Sequence, residues 1–131
     1  MKKKLFIYLL IFMLVMGNVP MDMVVKADNS VPVNNDIEIN YSVRESKVNA
    51  GGSFNLTLSF SNIPGSTINE ITATIPTNSY FTPAGDSIKT IKDGESYEFS
   101  INYFGGTDTI PVSIRYNKNG NNTRTVNLTL A

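Results

Sequence analysis

Apolar side chains recur at every second position in run after run between residues 36 and 130, and this period constrains the fold more than any other feature of the chain. From Asp36 to Val43 the apolar members are Ile37, Ile39, Tyr41 and Val43, with Asp36, Glu38, Asn40 and Ser42 between them. Ser53 to Phe60 sets Phe54, Leu56, Leu58 and Phe60 against Ser53, Asn55, Thr57 and Ser59. Ser96 to Tyr103 repeats the pattern with Tyr97, Phe99, Ile101 and Tyr103, and Thr109 to Tyr116 repeats it with Ile110, Val112, Ile114 and Tyr116. Thr123 to Leu130 adds Val126, Leu128 and Leu130, and Ile71, Ala73 and Ile75 form a weaker run that Pro76 stops. A period of two puts all apolar members of a run on one side of an extended chain, so each run is a strand with one face to bury. Ser87 to Ile91 predicts a further short strand, with Ile88 and Ile91 on opposite parities. Beyond residue 27 no segment shows the 3.6-residue spacing of an amphipathic helix.

Turn residues fall between the runs: Gly51-Gly52, Pro64-Gly65, Pro83-Ala84-Gly85, Asp93-Gly94, Gly105-Gly106 and Asn119-Gly120. Residues 117 to 122 predict a hairpin joining the last two strands. A slip of one residue there would turn Ile114, Tyr116, Val126 and Leu128 outward. Residues 28 to 35 have no such period and read as a flexible leader. About seven one-faced strands in residues 36 to 131, without crossover helices, predict an all-β, immunoglobulin-like, two-sheet antiparallel sandwich. A closed barrel of the oligonucleotide-binding type is the runner-up. Pro111 lies inside a strand and donates no ladder hydrogen bond, which predicts an edge position or a bulge.

The N-terminus has the layout of an export signal: Lys2, Lys3 and Lys4, the apolar run Leu5 to Met16, the helix breakers Gly17 and Pro20, and the ending Val25-Lys26-Ala27. The small side chains of Val25 and Ala27 stand third and first before the expected cut, so residues 1 to 27 read as a signal peptide whose helix precedes the domain. Its apolar run is shorter than the roughly 20 residues needed to span hydrocarbon, so contact with a membrane is expected only during export.

The chain has no Cys and no His, which excludes disulfides, thiol nucleophiles, histidine bases and Cys/His zinc sites. After residue 27 there remain seven Lys and Arg against ten Asp and Glu, a balance that argues against a nucleic-acid partner. No cofactor and no metal are expected. Asp93 and Glu95 are the nearest acidic pair, but they flank the Gly94 turn, where solvated acids are ordinary, so no catalytic residue is assigned and the chain is not read as an enzyme. Asp86, Asp93, Glu95 and Asp108 lie in turns, yet they lack the spacing of a calcium loop. The sequons at Asn40, Asn55, Asn121 and Asn127 read as by-products of an Asn/Thr-rich strand surface. The candidate binding residues are two adjacent aromatic pairs, Tyr80-Phe81 and Tyr103-Phe104. Neighbours in an extended chain point to opposite faces, so one ring of each pair is expected outside the core, free to stack on a sugar or anchor a protein contact.

Three segments resemble bacterial exported immunoglobulin-like modules of the CARDB, NEW3 and S-layer-associated type. They are Val48 to Asn62, where a Gly precedes an alternating strand ending in Asn; Ile91 to Phe99, with its Gly94-Glu95-Ser96 element; and the closing hairpin Thr109 to Leu130. The resemblance implies a sandwich fold, a place outside the cell or on its surface, and a role as spacer, adhesive or binding module. It carries over no catalytic residue. The expected function is therefore a non-catalytic secreted or cell-surface module that contacts a surface protein, with binding of a cell-wall glycan through exposed aromatic loops as the alternative.

Overall fold

The structure is a computed structural model that describes residues 22–25 and 28–131. These residues form eleven strands and no helix: β1 (Met23–Val24), β2 (Asn29–Val33), β3 (Ile37–Val43), β4 (Lys47–Val48), β5 (Ser53–Asn62), β6 (Glu70–Thr74), β7 (Phe81–Pro83), β8 (Ile88–Lys92), β9 (Tyr97–Tyr103), β10 (Thr109–Asn117) and β11 (Asn121–Thr129). The signal-peptide helix expected before the domain falls on residues outside those described, as does Ala27.

One sheet has the order β2-β3-β5-β9-β7, the second has β11-β10-β6-β8, and β1 pairs with β4 in a two-stranded ribbon. Every pairing is antiparallel. From β5 to β10 each successive strand lies in the opposite sheet, so the chain crosses between the sheets at every step of that stretch. The described residues thus form an all-β antiparallel sandwich. All seven strands expected from the period are present.

Alternation decides the core. Ile37, Ile39, Tyr41, Phe54, Leu56, Leu58, Phe60, Phe99, Ile101 and Tyr103 of the first sheet are buried. They form one cluster with Ile71, Ala73, Ile91, Ile110, Val112, Ile114, Tyr116, Val126 and Leu128 of the second. At roughly 1.5–3 kcal/mol for each fully buried large aliphatic or aromatic side chain, this shared interior is the main force holding the sheets together. Register follows from the same faces, with Leu56 opposite Phe99 and Val43, and Val112 opposite Val126. Ile114, Tyr116, Val126 and Leu128 all point inward, as the hairpin register requires. Three residues close that hairpin between the paired Asn117 and Asn121. Asn119 and Gly120 there adopt positive φ, 55° and 116°, a backbone that amide-bearing and side-chain-free residues accept at low cost.

Four short strands escape the period. Residues 28 to 35, read as a flexible leader, instead supply β2, which pairs with β3 from Asn29↔Tyr41 to Val33↔Ile37. β2 alternates in burial, with Asn29, Val31 and Val33 turned inward against exposed Ser30 and Pro32, but only Val33 is fully buried and two apolar residues are too few to mark a strand in the sequence. β1, β4 and β7 have two, two and three residues, too few for a period to register. Pro111 sits in β10, which has neighbours on both sides. Pairing with β6 spans only Ser113–Arg115, so the proline lies beyond it and is locally at an edge. Ile88 stands outward at 56% exposure, leaving Ile91 as the one buried residue of β8.

Candidate functional site

The structure divides the four aromatic candidates by the parity of their strands. Phe81 and Tyr103 are opposite one another on β7 and β9 and point into the core. Their rings stack with centroids 5.5 Å apart, and Phe54 meets both edge-on, at 6.1 and 6.5 Å. The Tyr103 hydroxyl donates to the Thr107 carbonyl at 2.9 Å. Burial is the main cause that pushes this phenol above its ordinary value, with the charge of Asp108 adding to it. These two rings are interior struts, turned away from the outer face of the sheet.

Tyr80 and Phe104 point the other way, at 43% and 48% exposure. The Phe104 N–H donates to the Tyr80 carbonyl at 2.8 Å, which continues the β7–β9 ladder by one residue and sets the two side chains across from each other on the outer face. Asn78 fixes the approach to the pair. Its side-chain oxygen accepts from the backbone N–H of Tyr80 at 2.8 Å and of Phe81 at 2.9 Å, and its own N–H donates to the Phe81 carbonyl at 2.9 Å. Two aromatic residues distant in sequence are thus exposed at paired backbone positions at the end of the β7–β9 ladder. Thr82 and Asn102 extend the same face one step inward.

The acidic residues are not gathered. Asp93 and Glu95 are exposed in the β8–β9 turn, and Asp86 accepts from the Tyr97 hydroxyl at 2.9 Å. Among the described residues no group of three or more acidic side chains is placed to hold a metal ion. Of the sequon residues, Asn40 donates to Ser61 Oγ at 2.9 Å, and Asn55 is held by Glu45 through its side chain at 2.7 Å and its backbone N–H at 2.8 Å. Asn121 and Asn127 are exposed.

One polar centre was not legible in the sequence. Asp36 stands at an outward parity in the alternating run, yet it is only 8% exposed because it lies in the turn before β3 and folds back under the β10–β11 hairpin. Its carboxylate accepts from the Tyr116 hydroxyl at 2.6 Å and from the Lys118 ammonium. Asn34 donates to the same Tyr116 oxygen at 2.7 Å and accepts from Arg124 Nε at 3.1 Å. The Lys118 hydrogen bond, followed by that of Tyr116, holds the Asp36 carboxyl below its usual value. This network ties the two sheets together across about 80 residues of sequence, and no local pattern announces it. No buried side-chain polar atom among the described residues lacks a hydrogen-bond partner.

Compared with known proteins, the chain matches no family model, no curated protein and no solved structure.

Proposed function

We propose that this protein is a non-catalytic exported module of the cell surface, a spacer or protein-binding part of a surface assembly, and that Tyr80 and Phe104 are its contact residues. The observation that carries the reading is the exposed pair itself. Two large exposed aromatic residues stand at paired backbone positions, set by the β7–β9 ladder and an Asn78 turn, on a sandwich whose other outward strand positions are mostly Ser, Thr, Asn and charged residues. Exposed aromatic rings on a rigid frame lose little entropy on binding and so make effective anchors. The export-signal layout at residues 1 to 27 and the resemblance to bacterial surface modules support placement outside the cytoplasm.

The test is capture of surface proteins by the immobilised exported protein, compared with a Tyr80→Ala/Phe104→Ala variant. Wild type retains a surface protein and the variant does not; equal retention by both removes the pair from the proposal. The second reading, a carbohydrate-binding module, draws on the same rings and on the neighbouring Thr82 and Asn102, which offer hydroxyl and amide partners. Titration with cell-wall polysaccharide separates the two, and absence of binding at millimolar sugar counts against the second.

A further inference from the structure

Asp22 to Val25 lie along β4 as a short antiparallel partner. Met23 is opposite Val48 and Val24 opposite Lys47. The Val25 N–H donates to the Ser46 carbonyl at 3.0 Å, and Asp22 Oδ2 stands 3.4 Å from Lys47 Nζ. Met23 is 4% exposed and shares the core with Val48, whereas Val24 faces outward at 69%. β4 has β1 as its only strand neighbour among the described residues. A depression of about 410 Å³ adjoins the segment, lined by Met23, Tyr103, Gly106, Thr107, Asp108 and Ala131.

Hydrolysis of the Ala27–Asp28 bond by an export peptidase cuts this segment away from the domain. What remains has a bare β4 edge, an apolar hole where Met23 was, and Lys47 without the Asp22 carboxylate. An unpaired strand edge beside an apolar slot is a template for strand addition: backbone hydrogen bonds give affinity and the slot gives selectivity.

We propose that this slot, opened by the export cut, is a strand-acceptor site for an extended segment of another protein. Its ligand has the order acidic, apolar, any, apolar, which the protein's own Asp22-Met23-Val24-Val25 displays in place. The inference rests on the export reading above but not on the Tyr80–Phe104 pair. The acid is selected by Lys47, and the first apolar residue fills the space of Met23. The second apolar residue takes the half-buried place of Val25.

The test uses protein recovered from outside the expressing cells, its N-terminus read by mass spectrometry. It is then titrated with a synthetic peptide of the sequence of residues 20–27 while backbone amide shifts are followed. The expected protein begins at Asp28. The peptide moves the amides of Ser46–Val48 and Gly106–Asp108 with a dissociation constant in the millimolar range, as suits so short a segment. A Met23→Asp peptide binds about tenfold more weakly or worse. Lys47 lies at the surface, so Lys47→Glu protein keeps its fold and prefers an Asp22→Lys peptide to the native one. A recovered protein that still contains Met23 overturns the proposal together with the cut after Ala27. Protein beginning at Asp28 that shows no shifts, or shifts indifferent to both the Met23 and the charge changes, overturns the acceptor site and leaves the export reading standing.

Discussion

Replacing Phe81 by Ala removes a ring that is fully buried, stacked on Tyr103 at 5.5 Å and met edge-on by Phe54 at 6.1 Å. Its adjacent neighbour Tyr80 is 43% exposed and lies on the opposite face of the same strand end. A buried Phe→Ala change costs about 3–5 kcal/mol, as lost transfer energy plus a cavity that the surroundings only partly close. Two aromatic contacts vanish with it, each worth about 0.5–1.5 kcal/mol beyond area, so the upper half of that range is expected. Tyr80→Ala, with no such packing, should stay within about 0.5 kcal/mol of wild type. Equilibrium urea unfolding reads the difference. With a slope near 1.5 kcal/mol per molar urea, Phe81→Ala lowers the midpoint by about 3 M, and Tyr80→Ala lowers it by about 0.3 M or less. Should Phe81→Ala not fold, Phe81→Leu keeps most of the volume and is expected to cost no more than about 1.5 kcal/mol. Equal midpoint shifts for Tyr80→Ala and either Phe81 variant would refute the division of the aromatics into interior struts and outer contacts.

Two further expectations concern pH. Asp36 has a folded value lowered from 3.8, so it contributes stability above that unfolded value and loses it as the pH falls through the folded one. The stability gap between wild type and Asp36→Asn should therefore be widest near neutral pH and close as the pH drops below 3.8; a gap that urea midpoints show to be constant with pH would contradict the network around Tyr116 and Lys118. Tyr41, whose hydroxyl donates to the Thr129 carbonyl at 2.9 Å, and Tyr103 are both raised above 10.0, chiefly by burial. Their neutral forms stabilise the fold below pH 10, and this contribution disappears as the pH climbs through the folded values, so tyrosinate absorbance should rise together with unfolding. Tyr41→Phe should flatten that alkaline loss, and an unchanged profile would count against it.

The exposed pair illustrates how a candidate site is partly legible. Adjacent aromatics at 80–81 and 103–104 imply one inward and one outward ring each, because extended neighbours point to opposite faces. Which ring goes inward depends on the β7–β9 register, and the meeting of Tyr80 with Phe104 depends on two segments more than 20 residues apart becoming neighbours. β7 itself, three residues long, was beyond the reach of any period.

Alternation by itself determined the all-β class, the seven main strands and nearly every core residue from Ile37 to Leu130, because burying one face of a strand is a local requirement written in every second side chain. Tertiary structure alone decided the short strands β1, β2, β4 and β7, which exist because a neighbouring edge offered them hydrogen bonds. It also decided the burial of Asp36, a charge placed inside by a turn and satisfied by residues some 80 positions away. Side-chain periodicity records which face is dry; it holds no record of which distant edge, hydroxyl or ammonium will arrive to complete a polar group.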